Sequence, residues 1–166
     1  MENTPKITEL CDDELKETVV IDIFKSFIRD GNKLVRLGTL ELYGKFISVL
    51  PKKCLSDSIL DFFISSVEKC YLKNTTKVKS SIDPDAAYYC AYNFPAVLNF
   101  FGAENWEVLK ELYFTLEGDF ENTTIQNSLA SSLPIIANIL KNEISEKDLL
   151  PVFEKYITLN GKILSK

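Results

Sequence analysis

Apolar residues along this chain recur every three or four positions, the spacing of one face of an α-helix. Val20, Ile23, Phe24, Phe27 and Ile28 form the first stripe, behind Asp12 and Asp13, whose charges suit a helix start. Asp30-Gly31-Asn32 stops it, with Gly31 free to adopt the left-handed conformation at a helix end. Leu37, Leu40, Tyr43, Ile47 and Leu50 predict a second helix over 33–50, closed by Pro51. Ile59, Leu60, Phe63, Val67, Cys70 and Tyr71 predict a third over 55–72. A polar, locally basic stretch, KNTTKVKSSIDPD over 73–85, reads as a loop, and a loop that long is either functional or a plain insertion. A fourth helix covers 86–101. A fifth covers 104–116 with Trp106, Leu109, Leu112 and Tyr113, and a sixth covers 121–140 with Ile125, Leu129, Leu133 and Ile136. A seventh opens at Ser145, where Asp148 three residues on resembles a capping box, and carries Leu149, Leu150, Phe153, Tyr156 and Ile157. Asn160-Gly161 reads as a turn, and 162–166 as the opening of an eighth helix. No segment alternates with period two, so the chain is all-α.

The helices are not independent of one another. NFPAVLNFF, from Asn93, and SLPIIANIL, from Ser132, align with Pro95 on Pro134, Asn99 on Asn138 and Phe101 on Leu140, each 39 residues apart. A period near 40 is that of a solenoid of stacked helix pairs, an α-α superhelix in which each unit buries its apolar faces only against neighbours. Leu50, Phe101 and Leu140 end successive second helices, and Phe63, Tyr113 and Phe153 follow in successive first helices. The expected organisation is a disordered lead-in over 1–11, then repeats at 12–50, 55–101 and 104–140, and an incomplete one at 145–166, about seven helices in three and a half repeats. The stripe Leu149, Phe153, Tyr156 and Ile157, with only a short tail behind it, predicts an apolar end face for self-association or a partner.

Composition narrows the function. With 24 Asp and Glu against 19 Lys and Arg, interspersed along 166 residues, no basic face for nucleic acid is indicated. The absence of histidine removes the commonest general base and metal ligand. Cys11, Cys54, Cys70 and Cys90 form no CxxC pair, so no zinc site is indicated. Without a leader they read as reduced thiols of a cytoplasmic protein that can also be nuclear, and the sequons at Asn74 and Asn122 as chance. No apolar run approaches the ~20 residues needed to span a bilayer. Asp57, Asp61, Asp83, Asp85 and Asp148 stand at helix starts or on polar faces, where capping and solubility explain them. No catalytic, metal or cofactor residue is assigned, and the chain is not expected to be an enzyme. Pro95 and Pro134 read as kinks that help curved stacking, Trp106 as a core or inter-repeat residue, and Cys70 and Cys90 as small core residues.

Asp30, Val35 and Arg36 resemble the turn and second helix of a HEAT repeat. There, the aspartate of one repeat and the arginine of the next bond across a ladder of turns, so the resemblance implies ladder roles for Asp30 and Arg36. At the third turn Asp119 matches, while Ile125 stands at the arginine's place. CAYNFPAVLNFFGAENWEVLKELYFTL, SLASSLPIIANIL and ISEKDLLPVFEKYI resemble the HEAT arrays of the protein phosphatase 4 regulatory subunit 1 family, and more distantly the protein phosphatase 2A scaffold subunit. The resemblance implies a non-catalytic regulatory or scaffold subunit that holds a serine/threonine phosphatase catalytic subunit of the 2A/4/6 class. It would do so through the turns within each helix pair. Carried onto this chain, the contacts are Asp30, Asn32, Lys33, Asp83, Asp85, Asp119 and Glu121. Tyr88 and Tyr89, clustered with Tyr92 beside the 73–85 loop, add a candidate patch. The alternative within the same fold is an adaptor for a transport or chromosome-associated complex.

Overall fold

The computed structural model describes residues 3–54, 57–71 and 83–164. These residues form helices and turns, with no strand among them. We number the helices α1 (Thr4–Leu10), α2 (13–28), α3 (Lys33–Glu41), α4 (Tyr43–Ser48), α5 (Asp57–Cys70), α6 (Pro84–Phe101), α7 (Trp106–Glu117), α8 (Thr123–Ile144) and α9 (Leu150–Leu164). The middle of α2, Lys16–Val20, is a π turn, as is Ser145–Leu149 ahead of α9.

The helices stack in two layers. α2 packs on α3, α5 on α6 and α7 on α8, the three pairs. In one layer α6 lies between α3–α4 and α8. In the other α5 touches α7, and the π turn before α9 packs on α8. This is the helical repeat that the 39-residue spacing predicts. In the two copies Phe94 and Leu133, Val97 and Ile136, and Phe101 and Leu140 are buried in matched positions, while Asn99 and Asn138 are both exposed. Buried aromatic rings run across the first two junctions between pairs. Phe24 stacks on Phe46 within the first pair, Tyr43 stacks on Phe63, Phe63 meets Phe94 at a tilt, and Phe94 meets Tyr113 edge-on with centroids 5.3 Å apart. Trp106 meets Phe94 edge-on and is 1% exposed.

Several local expectations change. Residues 4–10, read as part of a disordered lead-in, form α1. Pro5 sits in its first turn, where a missing N–H costs nothing, and Pro5 and Thr8 are buried as the helix lies against α4. Gly31 is not left-handed; the left-handed glycine is Gly102, φ 87°, which ends α6 with its N–H on the Leu98 carbonyl. The predicted helix over 33–50 is broken at Leu42, which separates α3 from α4. The break has a physical cause in α6. The buried carboxamide of Asn93 inserts between Leu40 and Gly44: the Gly44 N–H donates to Asn93 Oδ1 at 2.9 Å, and Asn93 Nδ2 donates to the Leu40 carbonyl at 2.8 Å. The amide thus replaces one rung of the helical ladder. Gly44 makes the approach sterically open, because a Cβ there would lie 2.5 Å from Asn93 Oδ1.

At the other end Ser145 caps nothing. Its hydroxyl donates to the Ala137 carbonyl at 3.0 Å, and helix runs unbroken from 142 into α9. α8 is divided instead at Lys141, φ 63° and ψ 178°, one residue past the predicted end at Leu140. Asn160-Gly161 is no turn but lies inside α9, and 162–164 continue that helix rather than open another; an interior glycine costs only about 1 kcal/mol relative to alanine. Of the predicted 73–85 loop, 73–82 lie outside the described residues; Asp83 caps α6 and Pro84 opens it. Cys70 and Cys90 are buried core thiols, and burial pushes the Cys90 thiol well up.

Candidate protein-binding ridge

The first and third turns and the residues that flank the second, Tyr71 and Asp83, are joined to one another along one edge of the array. At the first turn, the Asp30 carboxylate accepts from the Asn32 N–H at 2.7 Å, and Asn32 caps α3 by accepting from the Leu34 N–H at 2.9 Å. Arg36 Nη1 donates to the Asp30 and Gly31 carbonyls at 2.6 and 3.0 Å. Among the described residues, Arg36 therefore closes its own turn through backbone oxygens rather than bonding a neighbouring repeat. The third turn is closed the same way by a residue that the sequence comparison passed over. Gln126 Nε2 donates to the Glu117 and Asp119 carbonyls at 3.0 and 2.9 Å. Gln126 follows Ile125 by one residue, and a donor side chain at either position can reach the open carbonyls of the turn.

The links between turns are made by other groups. Lys33 Nζ lies 2.8 Å from Asp83 Oδ2, tying the first turn to the start of α6; this contact, with the Coulombic attraction behind it, holds the Lys33 ammonium pKa up. Asp83 also caps α6, accepting from the Ala86 N–H at 3.3 Å. The Tyr71 hydroxyl, at the end of α5, donates to Asp119 Oδ2 at 3.2 Å, and burial and that carboxylate push its pKa far up. The Tyr156 hydroxyl donates to Gln126 Oε1 at 3.1 Å, and Lys155 pairs with Glu117. A ladder thus exists, with lysine and tyrosine as its rungs.

This arrangement sorts the candidate contact residues. Asn32, Lys33, Asp85 and Glu121 are exposed on the ridge, and Asp30 and Asp83 are half-buried in their turns. Asp119 is 1% exposed and holds Tyr71, so it supports the ridge from beneath rather than presenting a surface. Tyr88 and Tyr89 are half-buried with ring centroids 5.5 Å apart. Tyr92, 6.1 Å from Tyr88, is the exposed member, at 54%. Burial and the Glu41 and Asp85 carboxylates push the Tyr89 hydroxyl up. Between the first and second pairs a groove of ≈ 550 Å³ opens beside the ridge, with Arg29, Lys33, Arg36 and Lys69 above a floor of Leu37, Leu40 and Phe62. Among the described residues no three His, Cys, Asp or Glu side chains gather as a metal site, and no helix is long and apolar enough to cross a membrane.

Residues 90–164 match the family model described as protein phosphatase 4 regulatory subunit 1 middle domain. Over 88 residues, 52% of this chain, the sequence is 33% identical to the serine/threonine-protein phosphatase 4 regulatory subunit 1 of Homo sapiens, and likewise to those of Mus musculus and Rattus norvegicus. The matched stretch spans 9% of the length of those relatives. No solved structure matches the chain significantly. From α6 through α9, the stretch that carries the duplicated helices and the third turn, the chain is thus similar to protein phosphatase 4 regulatory subunit 1.

Proposed function

We propose that this chain is a non-catalytic regulatory or scaffold subunit of a serine/threonine phosphatase, and that it holds a catalytic subunit of the 2A/4/6 class along the ridge of turns. The observation that carries the reading is the match of 90–164 to the regulatory subunit family, which covers most of α6, the whole third pair and α9. The geometry supports it in kind. The described ridge is braced, because Arg36 closes the first turn and Gln126 the third, and Lys33–Asp83 and Tyr71–Asp119 tie them to the second pair. Asp30, Asn32 and Asp83 are fixed by accepting from backbone N–H groups of the ridge. A scaffold needs a pre-organised surface, since side chains already fixed lose less entropy on binding. The metals and the phosphoester chemistry would belong to the partner, and the complex would reside in the cytoplasm and nucleus.

The test is affinity capture of the tagged chain with quantification of phosphatase catalytic subunits. Recovery of such a subunit is expected. The double variant Asp85→Lys/Glu121→Lys should lower that recovery at least tenfold while leaving thermal stability within about 0.5 kcal/mol, as for surface substitutions generally. Repeated captures that contain no phosphatase catalytic subunit would overturn the proposal and leave the transport or chromosome-associated adaptor as the reading.

A further inference from the structure

We propose that the two ends of the helix array bind each other, so that a second copy of this chain stacks head to tail on the first. Asp148, just ahead of α9, accepts from Trp106 Nε1 at 2.8 Å and pairs with Lys110 at 3.1 Å, and Lys155 of α9 pairs with Glu117. These residues mark the side of α9 that faces α7. At 3.6 residues per turn, Leu150, Phe153 and Ile157 fall on the opposite side, and they are 48%, 51% and 56% exposed.

The repeat shows what this edge is for. One repeat earlier, the matching positions are Lys110, Tyr113 and Glu117. Lys110 and Glu117 are the residues that bridge to the following repeat, and Tyr113 is 0% exposed. The edge through which α7 joins its successor is therefore apolar on α9, where charge would keep it soluble and unjoined. Beside it, between α8 and α9, lies an apolar groove of ≈ 330 Å³ lined by Leu133, Pro134, Ala137, Leu149 and Phe153, among others. The residues 39 positions before Leu133 and Ala137, Phe94 and Leu98, are 0% exposed on the face of α6 that packs against its neighbouring helices.

The opposite end of the molecule carries the counterpart. On α2, Leu15, Val19 and Ile23 recur at every fourth residue, turned away from the buried Val20, Phe24 and Ile28, and are 45%, 50% and 43% exposed. α1, lying against α4 in the other layer, exposes Ile7 at 59% and Leu10 at 89%. The stripe on α2 spans eight residues, about 12 Å, and that on α9 spans seven, about 10.5 Å. Stacking by one repeat step sets α2 of the second copy against α9 and brings its α1 toward the groove, so each layer continues in order. The contact uses different surfaces on the two copies, and such contacts propagate rather than close.

The test is sedimentation velocity of the full chain across a concentration series, with Val19→Glu and Phe153→Glu as end-blocking variants. Both residues are half exposed, and circular dichroism checks that the variants fold. The wild type is expected to form a growing series with concentration, and each variant alone to stay monomeric. An equimolar mixture of the two should form a dimer and stop there, because one intact end of each kind remains. A wild type that is monomeric at every concentration would overturn the proposal, as would a Val19→Glu variant that still dimerises, the mark of a symmetric contact. So would a monomeric wild type that instead binds a peptide of residues 123–140, which would assign the groove to a foreign helix.

Discussion

The junction between the first two helix pairs and the junction between the third pair and α9 are built from opposite chemistry. The interior of the first joins rings, Tyr43 on Phe63 with Phe24 and Phe46 behind Tyr43, and is tightened by neutral hydrogen bonds: Asn93 into the α3–α4 break, and the Tyr43 hydroxyl to the Ile59 carbonyl at 2.6 Å; its one described ion pair, Lys33 with Asp83, lies at the ridge. Among the described residues, the second has no ring stack across it. Trp106 and Lys110 converge on Asp148, Lys155 meets Glu117, and Tyr156 meets Gln126. Equivalent positions in the duplicated segments express the same difference. Asn93 reaches into the preceding pair, whereas Ser132, 39 residues on, donates to the Leu129 carbonyl of its own helix. A shared repeat therefore fixes which face is apolar, and leaves the means of joining to each junction.

The largest effect should come from Asn93→Ala, which strands the Gly44 N–H and the Leu40 carbonyl in the core. Buried unpaired groups cost about 1–3 kcal/mol each, so a loss of about 3 kcal/mol in urea unfolding is expected, against less than about 1 kcal/mol for Ser132→Ala. Equal losses would erase the contrast between the two copies. Next is Trp106→Phe, which keeps the ring and removes one hydrogen bond to a carboxylate, a bond of about 1.5–3 kcal/mol. Its effect should shrink when Asp148→Asn is already present, because both act on one cluster; additive losses would mean the two are not coupled.

Acid sharpens the contrast further. Burial raises the Asp148 pKa, but the hydrogen bonds from Trp106 and Lys110 and the Lys110 charge outweigh it, and the net value lies below normal. A carboxyl lowered on folding contributes stability that is full above the ordinary aspartate value of about 3.9. That contribution is lost as pH falls through the lowered one. As pH falls below about 4, amides of α9 should lose exchange protection before those of α3 and α4, whose buried junction with α6 is held by the neutral Asn93 amide. Simultaneous loss would count against the distinction. The smallest effect is a gain. Lys141 holds φ 63° and ψ 178°, a region open mainly to glycine and costing others about 1–3 kcal/mol. Lys141→Gly should raise stability by about 1 kcal/mol, offset in part by the freer unfolded chain, and a fall in melting temperature would contradict the strain.

Helices and pairing were legible in the sequence because periodicity and the 39-residue repeat report burial directly. Phe94 and Leu133 fall on the core as their spacing demands. The joints were less legible. Gln126 was missed because the family pattern looks for arginine one position earlier, and any side chain with an N–H donor can close a turn of open carbonyls. The break at Leu42 has no signature in 33–50 beyond Gly44, since its cause sits about fifty residues away in Asn93. Lys141 was unreadable in kind, as nothing in its own side chain favours the conformation that its neighbours impose. The contact residues divide in the same way. Exposure of Asn32, Asp85 and Glu121 follows from turn position, but burial of Asp119 depends on Tyr71, across the next junction.

The carboxamide of Asn93 has one more consequence. It makes an amide of the first pair depend on a side chain of the second, so α4 cannot fray without exposing a polar group from α6. Unfolding of the N-terminal pair should then be a single event shared with its neighbour, and the Gly44 amide, though beside a helix break, should exchange with solvent as slowly as the middle of α6. The same bond also acts as a lock on length. Deleting or adding one residue between Leu40 and Gly44 would turn the helix by about 100° and remove the gap that the amide occupies, so chains that keep an asparagine here should keep the spacing from Leu40 to Gly44 unchanged.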